Sequence, residues 1–297
     1  MSAATRGIRG IRGIRGIRGT DGTGGTGGRS GPLRYPLLLV VVFLSAFPVY
    51  WTFMIPSRTN DAVGQLPPPF LPGGHFFSNA SRVFDTVNFG KALLNSFLVA
   101  GSITLSTLLF CSLAGFAFAK LDFRGRNILL LMVIATMMVP IQLGIIPLYI
   151  EMQELGWGNR LIAVVLPTAV TAFGVVFMRQ SILQAVPDEL LEAGRMDGCG
   201  TLRLYWHVTL PALRPALAVL GLLTFMQAWN DFMWPLIVLN SENPTVQVAL
   251  STLASGHYRD NTLVLAGTAL GTLPVLVVFA LFGRQIIGGI MEGAVKG

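Results

Sequence analysis

The most concentrated set of polar and ionisable residues outside the N-terminal tail lies between 187 and 215, PDELLEAGRMDGCGTLRLYWHVTLPALRP. Asp188, Glu189 and Glu192 are not accompanied there by a nucleophile and an orienting base at any recognised offset. The pattern is instead that of a small docking element. Pro187 followed by two acids marks a helix start, because acids are favoured at the positive end of the helix dipole. Leu190, Leu191, Ala193 and Gly194 then supply small and apolar contact surface up to Met196. At Asp197-Gly198 the glycine permits φ > 0 and lets the chain reverse within one or two residues. A second amphipathic segment follows over 201–208, with Leu202, Tyr205 and Trp206 as its expected apolar face, and Leu210-Pro211 leads back into apolar sequence. Such an element can seat in a groove on a partner protein or lie along a bilayer surface. The residues alone leave both readings open.

Elsewhere the chain carries no catalytic set. Gly90-Lys91 is followed by Ala92 and has no glycine at the upstream spacing of a phosphate loop, so ATP binding of that kind is not expected in this chain. Neither H-E-x-x-H nor G-x-S-x-G occurs. His75, His207 and His257 are scattered through predicted loops, and Cys111 and Cys199 are isolated, so neither a metal site nor a disulfide is expected. No catalytic residue and no cofactor is therefore assigned, and the chain is not expected to be an enzyme. The main ionisable residue within an apolar segment is Asp231, in Trp229-Asn230-Asp231. A carboxylate at depth in a membrane is a functional candidate by default. Asn and Asp suit hydrogen bonding to sugar hydroxyls, and Trp229 or Trp234 could stack on sugar C–H faces. The competing reading is an interfacial aromatic belt beside a solvated carboxylate.

These residues must be positioned by membrane helices. The chain is 53% hydrophobic and 12% charged, against roughly 25% charged for a soluble domain, and its mean hydropathy is +0.65. A spanning helix needs about 20 predominantly apolar residues, and six segments qualify: 35–55, 92–119, 128–150, 161–183, 212–239 and 263–287. None shows the period-2 alternation of a β-barrel strand. Pro48, Pro140, Pro147, Pro167, Pro235 and Pro274 fall within or beside these segments and predict kinks. Asp231 lies 19 residues into the fifth segment, which at ~1.5 Å per residue is roughly 28 Å from its inner end. With the N-terminus inside, sixteen Lys and Arg lie on the inner side and five on the outer. Positive-inside bias therefore places both termini and the 187–215 loop in the cytoplasm.

The net charge of +7 sits mostly in the first 32 residues, where RGIRGIRGIRGIRG precedes a Gly/Thr/Ser stretch. Glycine at every third position opposes a helix. Residues 1–32 are expected to form a disordered basic tail that reinforces topology and touches anionic lipid, the alternatives being an Arg-Gly nucleic-acid arm or an over-called start. It does not read as a cleaved signal peptide. No nucleic-acid partner is assigned; the lipid bilayer is. Residues 33–297 are read as one transmembrane domain.

Within that domain the 187–215 loop resembles the EAA loop of ABC-importer permeases, whose pattern is E-A-A-x-x-x-G with a following I-x-L-P. Glu192, Ala193 and Gly198 match, Gly194 stands where the second alanine is usual, Asp197 is the common residue before the glycine, and Leu210-Pro211 matches the closing step. Asn95-Ser96, Ala228-Trp229-Asn230-Asp231-Phe232 with Pro235-Leu236, and the ending Gly293-Ala294-Val295-Lys296-Gly297 are similar to the shorter, six-span subunit of the maltose-type carbohydrate permeases. The resemblance covers residues 33–297. It implies an all-α integral membrane protein of the bacterial cell membrane, with six kinked spans and a cytoplasmic coupling-helix loop. It also implies a second homologous permease subunit, two ATPase subunits that hold the ATP-Mg, and an extracytoplasmic sugar-binding protein. Glu192, Ala193, Gly194, Asp197, Gly198 and Pro211 become the ATPase-coupling residues, and 292–297 a secondary contact. Trp229, Asn230 and Asp231 become residues of the solute path. The stretch 227–253 resembles importers of cello-oligosaccharides.

Overall fold

The computed structural model describes residues 34–65, 70–255 and 260–294. The chain divides into two compact units, Met1–Phe47 and Pro48–Gly297. The expected basic tail, 1–32, and His257 lie outside the described residues, as do residues 295–297 of the secondary contact. Among the described residues every regular element is helical.

Helix α1 (Arg34–Met54) carries Pro48 internally, and its side chains from Leu37 through Leu44 are all strongly exposed, as a lipid-facing span requires. After short turns at Ile55–Ser57 and Asn60–Val63 come α2 (Phe76–Thr86) and α3 (Phe89–Lys120), the latter 32 residues long. The remaining elements are α4 (Arg126–Thr136), α5 (Ile145–Glu154), α6 (Ile162–Thr168), α7 (Ala172–Ala185) and α8 (Asp188–Met196). They are followed by α9 (Thr201–Ala212), α10 (Arg214–Asn230), α11 (Met233–Val238), α12 (Val246–Ala254) and α13 (Asn261–Ala294).

Among the described residues, three helices are long and apolar enough to cross a membrane, and up to six spans result if each bent helix pair counts as one. Three of the six expected segments are thus broken rather than gently kinked. The α4–α5 pair bends by 90° and α6–α7 by 45°, while α9 and α10 meet at 79°. Each break has a local cause. Pro140, extended at ψ 126, follows α4; its ring forces the preceding residue away from helical geometry and it offers no N–H. At α7, Thr171 is extended and its Oγ1 accepts the Gly174 N–H at 3.0 Å, a side-chain cap that starts a new helix in a new direction. Pro211 and Pro215 flank the α9–α10 bend at Leu213. The expected fifth segment, 212–239, is also interrupted at its far end: α10 stops at Asn230 and Asp231 is extended before α11 begins.

Helix α3 is the central post, packed against α7 on one side and α10 on another. Its seam with α7 is built from small residues. A Cβ on Gly115 would lie 2.8 Å from the Arg179 backbone nitrogen and 2.9 Å from Met178 Cβ, and one on Gly174 would lie 2.7 Å from Cys111 Sγ. Small residues let helix backbones approach closely where lipid supplies no hydrophobic drive between helices. Among the described residues, three apolar clusters lie around this post. One, near the Phe89 end, gathers Val83, Phe89, Trp229 and Val246; a second joins Val99 and Ile103 to Met152 and Trp234. The third, near the Lys120 end, joins Phe116, Met178 and Ile182 to Leu191, Leu204 and Tyr205.

The outer end is knit by polar contacts. Asn79 Nδ2 donates to Pro56 O (2.8 Å) and Arg58 O (2.9 Å), and the Asn261 N–H donates to Asn60 Oδ1 at 3.0 Å. Asp260 opens α13: its Oδ1 accepts from Thr262 Oγ1 (2.6 Å) and the Leu263 N–H (3.1 Å), while Oδ2 pairs with Arg82 Nη2 at 2.7 Å. Desolvation pushes its carboxyl upward, but the Thr262, Arg82 and Leu263 contacts outweigh it and hold the group below the usual carboxylate range. Its stabilising contribution is therefore complete above the unfolded value of about 3.9 and is lost as pH falls through the lower folded value. In detergent, the thermal-stability advantage of wild type over Asp260→Asn should be constant between pH 5 and 7 and shrink steadily below about pH 4; a pH-independent difference would contradict this.

Candidate coupling element and solute path

The 188–196 helix appears where the sequence places it. Asp188 and Glu189 occupy its first turn and Arg195 its last, each complementing the helix dipole. Leu191 is buried against Ile182, Val186 and Leu204, whereas Glu192 and Ala193 face outward. The helix ends in a Schellman turn: the Gly198 N–H donates to Arg195 O at 3.0 Å and the Cys199 N–H to Gly194 O at 2.9 Å, with Gly198 at φ 81. This arrangement satisfies the orphan carbonyls and needs a left-handed residue at Gly198.

Gly194, the departure from the family pattern, now has a physical reason. A Cβ there would press on Leu204 Cδ2, and Leu204 is itself buried at 2% exposure. The glycine lets α8 and α9 pack against each other. The expected apolar face of the second segment is corrected. Leu204, Tyr205 and Thr209 point inward, while Leu202 and Trp206 are exposed. The helix includes a π turn over Tyr205–Thr209, in which the Leu210 N–H reaches back to Tyr205 O. Pro211 is exposed near the end of α9.

The outward surface combines Glu192, Ala193, Asp197 and Gly198 with four exposed apolar side chains: Leu190, Met196, Leu202 and Trp206. Behind it, the element is fastened to α3. Tyr205 Oη lies 2.6 Å from Ser112 Oγ, the Tyr205 and Phe116 rings are 5.6 Å apart, and Lys120 Nζ pairs with Asp188 Oδ1 at 2.6 Å. Sequence patterns place Lys120 only among the inner-side basic residues and single out neither Ser112 nor Phe116. Their i, i+4, i+8 spacing at the inner end of the second segment was the available signal.

At the Trp229-Asn230-Asp231 site, the tryptophan is placed in the core. Trp229 is 2% exposed, stacks on Phe225 at 5.7 Å and donates through Nε1 to Gly271 O at 3.2 Å. It wedges α10 against α13 and offers no face for stacking on a solute. Trp234 is likewise buried, donating to Ala163 O at 3.0 Å. Asn230 is exposed and donates to Met226 O at 2.8 Å. Asp231 sits in the break between α10 and α11, its carboxylate near the backbone N–H groups of Trp234, Met233 and Phe232. Those N–H groups belong to the start of α11 and have no intrahelical partner, so the carboxylate lies at the positive end of a short helix.

Asn95 and Ser96 act beside the Trp229 cluster. Buried in α3, Asn95 Nδ2 donates to Pro244 O at 3.0 Å and Ser96 Oγ accepts the Val246 N–H at 2.8 Å, which fixes the start of α12. Among the described residues no group of three His, Cys, Asp or Glu is placed to hold a metal. Cys111 and Cys199 are both free.

Comparison with known proteins places this arrangement. Residues 108–286 match the family described as binding-protein-dependent transport system inner membrane component. The chain is 36% identical to the arabinooligosaccharides transport system permease protein AraQ of Halalkalibacterium halodurans over 204 residues, 68% of this chain and 73% of that protein. It is 34% identical to the lactose transport system permease protein LacG of Rhizobium radiobacter over 265 residues, 89% of this chain and 96% of that protein. The sn-glycerol-3-phosphate transport system permease protein UgpE of Yersinia pestis is 30% identical over 267 residues, 86% and 94% of the two chains. A chain of a bacterial ABC transporter involved in the import of the acidic polysaccharide alginate superposes with a TM-score of 0.72 at 25% identity, covering 85% of this chain and 94% of that one. The family match runs from the inner half of α3 through the α8–α9 element and into α13. With this family match, relatives aligned over most of their length and apolar helices able to span a bilayer, the chain belongs to the inner membrane components of binding-protein-dependent transport systems, and is a multi-pass ABC-importer permease of the cell membrane.

Proposed function

We propose that this chain is the permease subunit of an ATP-driven carbohydrate importer working by alternating access, with cello-oligosaccharides as its solute. It pairs with a second, homologous permease subunit. Two ATPase subunits beneath the pair bind ATP-Mg, and an extracytoplasmic sugar-binding protein delivers the solute. The observation that carries this reading is the outward surface of α8–α9, where Leu190, Met196, Leu202 and Trp206 stay exposed around a Schellman turn. An apolar patch ringed by polar residues marks a protein contact site, and its place beside Lys120 puts it on the expected cytoplasmic side. Glu192, Ala193, Gly194, Asp197, Gly198 and Pro211 shape it. On the solute side, Asn230 and Asp231 supply polar groups at a helix break, whereas Trp229 supports them from the core.

Relatives named for arabinooligosaccharides and lactose support the carbohydrate class. The choice of cello-oligosaccharides rests on the resemblance of residues 227–253. A relative named for sn-glycerol-3-phosphate favours a second reading, import of a phosphate ester. Uptake of a labelled panel of oligosaccharides and glycerol phosphate, in a deletion strain complemented with this chain, separates the two. Cello-oligosaccharide uptake is expected; restoration of glycerol phosphate uptake alone would select the second reading, and uptake of neither would remove both.

A further inference from the structure

We propose that Ser112, Phe116 and Lys120 form a clamp through which the α8–α9 element and the inner half of α3 move as one body. Movement imposed by the ATPase subunits then enters the bundle mainly through α3 rather than through the chain link to α10. This rests on the coupling role given to α8–α9 above.

Three observations carry it. The clamp residues recur every four positions and so share one face of α3. They meet both halves of the coupling element, Ser112 and Phe116 on Tyr205 of α9 and Lys120 on Asp188 of α8. The contacts on α9 are deeply buried, with Tyr205 at 1% and Phe116 at 4% exposure; at Lys120 the side chain is 4% exposed and that of Asp188 77%. By contrast, the covalent route to α10 turns through 79° at Leu213, between Pro211 and Pro215, so a push along α9 is not directed along the α10 axis. From α3 the movement has a rigid onward path. The Gly115 and Gly174 seam binds α3 closely to α7, and packed elements shift as units rather than deform continuously.

The hydrogen bond has a defined direction. Ser112 Oγ has a single proton and also lies 2.5 Å from Leu108 O, an acceptor only. The serine therefore donates to Leu108, and Tyr205 Oη donates to Ser112. Tyr205→Phe removes that donor while leaving Ser112 paired, so it loosens the clamp with little damage to the fold.

The test is solute transported per ATP hydrolysed, measured with the complete importer in proteoliposomes. Tyr205→Phe and Lys120→Glu are each expected to lower this ratio about tenfold, with ATP hydrolysis and assembly retained; Lys120→Arg keeps the pairing and should preserve the ratio. A merely structural role would lower transport and hydrolysis together and leave the ratio unchanged. An unchanged ratio in both Tyr205→Phe and Lys120→Glu overturns the clamp while leaving the coupling role intact. A wild-type complex that moves no solute on ATP addition overturns the reading on which the clamp depends, and the clamp with it.

Discussion

Gly198→Val is expected to abolish uptake at normal membrane levels, Gly198→Ala to reduce it several-fold, and Gly198→Asn to retain most of it. The order follows from backbone conformation rather than from crowding. Gly198 holds φ 81 in the Schellman turn, and a Cβ built on it meets nothing within 4 Å. A side chain therefore has room, and the penalty lies in the left-handed geometry, about 1–2 kcal/mol for an ordinary residue. Branching at Cβ raises that penalty, whereas Asn visits this region readily. The Gly198 N–H and Cys199 N–H must still reach Arg195 and Gly194 carbonyls for α8 to reverse into α9. A residue that refuses φ > 0 moves the turn and with it Met196 and Leu202, which flank it on the proposed docking surface. The measurement is ATP-driven oligosaccharide uptake with each variant, normalised to protein in the membrane. If Val retained uptake as fully as Asn, the turn conformation would be irrelevant to coupling; if Asn failed as badly as Val, side-chain intrusion at the partner contact would be the cause.

Much of this element was legible because its signals are local. Pro187 with Asp188 and Glu189, and Asp197 with Gly198, define a helix start and a turn through short-range rules, and α8 begins and ends where those rules put it. The apolar segments were equally plain, since bilayer thickness imposes a length. The failures have a common origin in packing between distant parts of the chain. Leu202 and Trp206 fit an amphipathic face as well as Leu204 and Tyr205 do, and α3 and α8 decide between them. Trp229 reads as a residue for sugars or for an interface, but its indole N–H finds Gly271 O, 42 residues away. The breaks at Pro140 and Asp231 show the same limit. Proline marks where a helix is weak, whereas the 90° angle depends on what lies beside it.

The second large effect is expected at Gly115, and α3 supplies its own control. Gly115→Ala should lower the thermal stability of the purified protein, and Gly115→Leu should prevent accumulation in the membrane, while Gly101→Ala should leave stability unchanged or slightly raise it. Both glycines lie in the same 32-residue helix, so both substitutions gain helix propensity, about 0.5–1 kcal/mol for Gly to Ala. Only the surroundings differ. A Cβ at 101 meets nothing within 4 Å, but at 115 it meets the Arg179 backbone nitrogen at 2.8 Å and the Met178 carbonyl carbon at 3.0 Å. Backbone atoms cannot swing aside as the end of a side chain can, so α3 and α7 must separate. Separation strains the seam contacts at Thr107 Oγ1 with Ala169 O (3.2 Å) and Cys111 Sγ with Thr171 O (3.5 Å). Overpacking of this kind costs about 1–3 kcal/mol and more where the obstacle is backbone, enough to outweigh the propensity gain. Thermal unfolding in detergent checks the pair of alanine variants directly. Equal melting temperatures for Gly115→Ala and Gly101→Ala would mean that the close approach of α3 and α7 does not hold the bundle together.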